Sequence, residues 1–246
     1  MPLRIAFDLD GLVADMEAEL LRQAEILFGD EMRRPKSRAD GNEASPSPDP
    51  SAPGEPAPER LLPPLAKLRM TMRQQRRLWR YVETIEGFWE SLNEIESGMV
   101  SRLAALAADR KWEVIFLTNR PECAGATAQV QSQRWLASKG FIFPSVYVVQ
   151  ESRGRIAAAL GLDFVVDDRP ENCLDVLVES KAKPILVWRE DEKRLPAAAR
   201  RLGIGVVKSV NECLDILTDV DSRPREQPAT KPRPVFSFPD LAQTEN

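Results

Sequence analysis

Apolar residues along this chain gather in short runs that alternate with longer stretches of mixed polarity. Strand-like runs fall at residues 3–7, 112–117 (Trp-Glu-Val-Ile-Phe-Leu), 146–149 (Val-Tyr-Val-Val), 163–166 (Asp-Phe-Val-Val), 185–188 (Ile-Leu-Val-Trp) and 204–207. Between them lie helix-like stretches at 97–109, 122–139, 153–160, 170–180, 191–202 and 209–219. Strand, helix, strand in regular order predicts an α/β fold, a doubly wound parallel sheet with helices on both faces. The nearly continuous apolar character of the strands fits burial on both sides. There is no internal repeat.

Two further helices are predicted, at about 16–28 and 65–82, and two segments break the pattern. Residues 33–64 hold nine prolines among Ser, Asp, Glu, Ala and Gly, and residues 221–246 hold five prolines with balanced charge. Neither has the apolar periodicity needed to offset the entropy of ordering, so both are expected to be disordered.

Composition narrows the chemistry. The 246 residues suffice for a sizeable core, and 43% of them are apolar. A net charge of −4 supplies no basic field for nucleic acid or a membrane surface. No apolar run approaches the roughly 20 residues of a membrane span, and the first apolar run is too short for a secretory leader, so a cytoplasmic protein is expected. The three cysteines, Cys123, Cys173 and Cys213, form neither a disulfide framework nor a zinc spacing. The complete lack of histidine removes Ser-His-Asp and Cys-His mechanisms and the usual His-ligated zinc. Catalysis here would fall to carboxylates, Lys or Arg, hydroxyls and an oxygen-loving metal.

In doubly wound sheets, sites form beyond the carboxyl ends of the strands. After the first strand-like run come Asp8, Asp10 and Gly11. After the second come Thr118-Asn119-Arg120-Pro121, and after the fourth Asp167-Asp168-Arg169-Pro170-Glu171-Asn172. Ahead of that fourth run, Arg153 and Arg155 open a helix ending near Gly161. Continued strand geometry would put Asp8 and Asp10 side by side. Two such charges repel unless a cation lies between them or one is protonated. A structural protein gains nothing from this, whereas phosphoryl transfer uses it, because Mg²⁺ takes a few oxygen ligands beside the substrate phosphate.

These segments resemble the motifs of the haloacid dehalogenase-like phosphohydrolases. Asp8-x-Asp10-Gly11-x-x-x-Asp15 is similar to the first motif, Leu117-Thr118-Asn119-Arg120 to the second, and Asp167-Asp168-Arg169-Pro170-Glu171-Asn172 to the fourth in its double-aspartate form. Phe7 to Asp15, with Gly87-Phe88-Trp89 ahead of the second motif, is similar to the 5'(3')-deoxyribonucleotidase-like branch. Where the family's third motif carries a lysine, this chain has Arg153, which keeps the charge on a bulkier planar fork suited to phosphate.

The resemblance implies a Rossmann-like core at 1–14 and 97–220, a helical cap at 15–96 containing the insert at about 33–64, and a tail at 221–246. It implies a Mg²⁺-dependent phosphomonoester hydrolase with a small phosphorylated substrate. Asp8 would be the nucleophile and Asp10 the acid and base. Asp8, Asp10 (through its backbone carbonyl), Asp168 and the nearby Asp167 would hold the metal, and Thr118, Asn119 and Arg153 would bind phosphate. Asp15, Glu171 and Asn172 are expected to cap helices or support the site. Phe88, Trp89 and Arg120 are candidates to meet substrate or cap, with core packing the favoured reading for the aromatics.

Other readings remain. Asp8 to Glu19 superficially matches a calcium loop, but Leu12-Val13-Ala14 is too apolar for a ligand loop. The second cap helix carries Lys67, Arg69, Arg73, Arg76, Arg77 and Arg80, either a solvated face or a means of steering phosphorylated substrates. A catalytically silent scaffold and a polynucleotide 3'-phosphatase are the alternative functions, although nucleic acid is a less expected partner.

Overall fold

The computed structural model of the chain describes residues 2–33 and 70–222. Six strands form one parallel sheet in the order β3-β2-β1-β4-β5-β6. They are β1 (Arg4–Asp8), β2 (Glu113–Thr118), β3 (Ser145–Val148), β4 (Phe164–Asp167), β5 (Lys183–Val187) and β6 (Gly205–Val207). Each lies within two residues of its expected position. The helices are α1 (Met16–Arg33), α2 (Met72–Glu83), α3 (Met99–Arg110), α4 (Ala128–Ser138), α5 (Arg153–Leu160), α6 (Pro170–Glu179), α7 (Ala197–Arg201) and α8 (Val210–Asp221). The chain moves outward from β1 to β3, then crosses back to lay β4 on the other side of β1. That reversal leaves a crevice beyond the ends of β1 and β4.

Strand alternation sorts the core into two layers. Ile5, Phe7, Phe116, Val166 and Ile185 share one buried cluster with residues of α1, α2, α3, α4 and α8. Ala6, Ile115, Leu117 and Val165 face the other way, into a cluster with Ala157 of α5 and Val176 of α6. Leu186, Cys173 of α6 and Ala199 of α7 make a third. Along α1, Met16, Leu20, Ala24 and Phe28 recur every four residues, a buried stripe that joins Leu78, Trp79 and Val82 of α2 in the main cluster. Each fully buried side chain of Leu or Phe size contributes roughly 1.5–3 kcal/mol.

The helices begin where capping residues stand. Thr71 and Gln74 form a reciprocal capping box at α2, and Thr127, Ser152 and Ser209 accept backbone N–H groups at α4, α5 and α8. The N–H of Ala18 donates to Asp15 Oδ1 at 3.0 Å, so Asp15 caps α1.

Several expected boundaries are corrected. The helix expected from 122 starts only at Ala128, because Gly125 turns at φ +93° and Thr127 supplies the cap. The stretch 191–202 is two pieces, a 3₁₀ turn at Glu192–Arg194 and then α7, divided at Pro196, which has no N–H to continue a helix. β3 lies at the sheet edge and buries only Val146 of its four residues, so it is not sandwiched on both sides. α1 runs beyond residue 28 to Arg33, and α2 begins at Met72. The start expected at 65, Lys67, Arg69, and the Pro-rich segments apart from Arg33, Asp221 and Ser222 lie outside the described residues. Among the described residues no helix is long and apolar enough to cross a membrane.

Candidate active site

β1 ends on Asp8, opposite Leu117 of β2, so Asp8 and Thr118 come to the same edge of the sheet. The chain then turns sharply: the N–H groups of Val13 and Ala14 both donate to Leu9 O, and that of Gly11 donates to Ala14 O. Asp10 therefore sits in the turn and not on the strand, which breaks the simple side-by-side pairing with Asp8. Its carboxylate is turned toward β2. Thr118 Oγ1 donates to Asp10 Oδ2 at 2.9 Å, and Arg120 Nη2 donates to Asp10 Oδ1 at 2.7 Å.

Arg153 stands at the start of α5. Its Nη2 donates to Asp8 Oδ1 at 2.7 Å, and its Nε lies 3.9 Å from Asp167 Oδ2. α5 brings it there because Ser152 caps the helix and Gly154 packs directly on α6. A Cβ at Gly154 would collide with the backbone carbonyl of Asp175. Arg155 is exposed, pairing with Glu151 and Glu179 away from the site.

The two aspartates after β4 differ. Asp167 is sealed and fully partnered, accepting from the N–H of Arg169 and from Asn172 Nδ2, each at 2.9 Å. Asn172 thus supports Asp167, and Glu171 stands in the first turn of α6. Asp168 has a buried Oδ1 without a hydrogen-bond partner among the described residues. Its other oxygen lies against Gly11, whose φ of +86° and bare Cα leave it room; a Cβ there would strike Oδ2.

Crowding raises three acids. Burial, and then the charge of Asp167, push Asp8 up to about 8 despite Arg153. Burial and the charge of Asp168 bring Asp167 to about 7, and burial and the charge of Asp8 bring Asp168 to about 7. Acids so placed lack positive charge. A hard divalent cation suits this donor set: all-oxygen, anionic, with one orphaned buried oxygen. Among the described residues no group of three or more acidic or thiol side chains is arranged to hold a metal ion by itself. Backbone carbonyls, substrate oxygens and water would fill the remainder, as Mg²⁺ prefers.

The other expected contacts lie elsewhere. Phe88 and Trp89 are wholly buried in the main cluster, the core packing favoured for them from the sequence, and cannot stack on a substrate from there. Arg120 is buried beneath Asp10 instead of facing the cap. Asn119 is half-buried beside Thr118. Glu19 pairs with Arg22 and Gln23 on α1, with no part in a calcium loop. All three cysteines are free, and burial raises the thiols of Cys173 and Cys213 far above their usual range.

One cationic strut escaped the sequence reading. Arg189 follows β5 and donates to the carbonyls of Gly11 and Leu12 and to Glu96 Oε1, at 2.9, 3.0 and 2.8 Å. Extending the rule that residues beyond strand ends build the site would have flagged Arg189. Nothing in sequence marks Glu96, or Ser132 under Arg120.

No model of a known protein family matches the sequence, and no curated protein matches it. Solved structures do. A haloacid dehalogenase-like family hydrolase from Xanthomonas campestris aligns with a TM-score of 0.51 at 15% identity, over 90% of this chain and 96% of that one. A hydrolase of the same family from Deinococcus radiodurans, solved with bound phosphate and sodium, aligns with a TM-score of 0.50 at 15% identity, over 89% and 96%. The chain therefore has the fold of the haloacid dehalogenase-like hydrolases, a Rossmann-like parallel sheet with an insertion after its first strand.

Proposed function

We propose that the protein is a Mg²⁺-dependent phosphomonoester hydrolase that works through an aspartyl-phosphate on Asp8. The observation that carries this reading is the unpartnered buried oxygen of Asp168 in a cluster where Asp8 is already paired to Arg153. A phosphate-bound structure of the same fold supports it.

Asp8 attacks phosphorus, forming a new P–O bond as the bond to the leaving oxygen breaks. Asp10 supplies the proton that the departing alkoxide takes up. Water then attacks the phosphoryl group, Asp10 accepts its proton, and the P–O bond to Asp8 breaks to release inorganic phosphate. Asn119 and Arg153 contact the phosphate, as does Thr118 once its single hydroxyl proton turns from Asp10 to a phosphate oxygen, and the guanidinium offsets charge that grows in the transition state. Bound Mg²⁺, held by Asp8, the Asp10 carbonyl and Asp168 with Asp167 behind, would neutralise phosphate charge. The substrate is a nucleotide or another small phosphate ester, following the resemblance to the 5'(3')-deoxyribonucleotidase-like branch.

The test is phosphate release, with Mg²⁺, from deoxynucleoside 5'- and 3'-monophosphates, sugar phosphates and a 3'-phosphorylated oligonucleotide. Release should vanish in Asp8→Asn and with chelator. A folded protein that releases phosphate from none of them overturns the reading and favours a silent scaffold.

A further inference from the structure

We infer that Arg120 is a positioning residue that acts through Asp10, an inference that rests on the proposed role of Asp10 as proton carrier. Its side chain is fully sequestered, and all three nitrogens are bonded, two to Asp10 and one to Ser132. Nε lies 3.0 Å from both oxygens of Asp10, and Nη2 is 2.7 Å from Oδ1. Nη1 donates to Ser132 Oγ at 2.7 Å, and that hydroxyl in turn donates to Ala128 O at 2.6 Å. The guanidinium carbon sits 4.8 Å from the Trp89 ring centroid.

Each contact removes one freedom. The fork to Asp10 sets the plane of the guanidinium. The Ser132 bond ties the fork's far end to α4, and the aromatic face closes off the third side. With Thr118 on Asp10 Oδ2, both carboxylate oxygens are held in one orientation. A lysine would keep the charge, but its three N–H donors sit on one nitrogen, unable to grip Asp10 edge-on while reaching Ser132. Trp89 is itself fixed, its N–H accepted by Gln131 Oε1 and its Nε1–H by Pro121 O. The segment that leads back from α2 to the sheet is thus joined, through Trp89 and Arg120, to the orientation of Asp10. A structural ion pair would need only the charge, whereas a positioning role needs the fork.

The experiment is a double-mutant cycle of wild type, Asp10→Asn, Arg120→Lys and the double variant, with Mg²⁺ and p-nitrophenyl phosphate as probe, together with a crystal structure of Arg120→Lys. Arg120→Lys should lower kcat about 100-fold, the scale of a misplaced acid-base group, with KM within about 3-fold. The double variant should fall no more than about 3-fold below Asp10→Asn alone, because the two residues act as a unit. The crystal structure should show the Asp10 carboxylate turned from its bond with Thr118. A raised KM at unchanged kcat, or losses that multiply, would make Arg120 a substrate contact and overturn the inference. An unmoved Asp10 carboxylate in Arg120→Lys would overturn it as well. Absence of turnover by wild type would count against the proposed function alone, since the crystal structure still decides whether Arg120 orients Asp10.

Discussion

Arg153 and Asp8, 145 residues apart in sequence, meet through a 2.7 Å hydrogen bond between two side chains almost closed to solvent. Removing one member of such a pair strands the other, which costs more than the pair contributes. Arg153→Met should therefore destabilise the protein by about 3–5 kcal/mol. Arg153→Lys, which keeps the charge, should be much milder. Urea unfolding of the two variants checks this. The loss in Arg153→Met should be smaller at pH 5 than at pH 8, because Asp8 can then be protonated in place of being paired.

Asp8, Asp167 and Asp168, raised to about 8, 7 and 7, make the metal-free protein sensitive to pH. The folded state binds protons that the unfolded chain has released above its ordinary carboxylate value near 3.8. Stability from this cluster is thus greatest at low pH and declines as pH rises from about 4 to about 8. Each unit of elevation corresponds to about 1.4 kcal/mol. In chelator, the melting temperature should fall from pH 5.5 to pH 8 by at least about 3 °C, taking about 1 kcal/mol as the minimum change. Mg²⁺ should flatten the slope. Asp168→Asn should flatten it without metal and weaken the Mg²⁺ response in calorimetric titration.

Two glycines separate packing from conformational freedom. At Gly154 a Cβ would enter the Asp175 carbonyl, so Gly154→Ala must force α5 from α6 and carry Arg153 with it. Overpacking of this kind costs about 1–3 kcal/mol, and phosphatase activity should fall together with stability. Gly29, inside α1, has nothing within 4 Å of its Cβ direction among the described residues. Gly29→Ala should stabilise by about 0.5–1 kcal/mol through helix propensity alone. Thermal melts of the two variants should move in opposite directions.

Local pattern made the sheet legible. Runs such as Val-Ile-Phe-Leu at 114–117 and Phe-Val-Val at 164–166 are strand formers with turn residues behind them, and the polar residues just past them make up the candidate site. The aspartates and Thr118 could be read from position relative to a strand end. What the sequence hid is long-range. Nothing local says that Arg120 buries its charge on Asp10, 110 residues away. Core packing is the favoured reading of Trp89, but nothing local says that its ring lies against Arg120. The break at Pro196 was visible as a proline, yet alanines and charges on either side read as one continuous helix.

Glu96 extends the same point to the far side of the crevice. It accepts from Arg189 Nη2, from the N–H groups of Val210 and Asn211, and from Asn211 Nδ2, all at 2.8 to 3.0 Å. Burial opposes its ionisation, but the Arg189 bond and the two backbone N–H groups at the start of α8 prevail and hold it below the usual carboxylate range. A lowered acid contributes stability above its unfolded value and loses it as pH falls through its folded value. Glu96→Gln should therefore cost about 1–2 kcal/mol at pH 7, allowing for partial exposure, and less toward pH 4. Arg189, released from Glu96, would no longer be fixed against the Gly11 and Leu12 carbonyls. Because Gly11 makes the room that Asp168 occupies, Glu96→Gln should also weaken Mg²⁺ binding. Urea unfolding at pH 7 and pH 4, with Mg²⁺ titration at pH 7, measures both effects. A stability loss with unchanged Mg²⁺ affinity would show that the strut supports α8 and not the turn at Gly11.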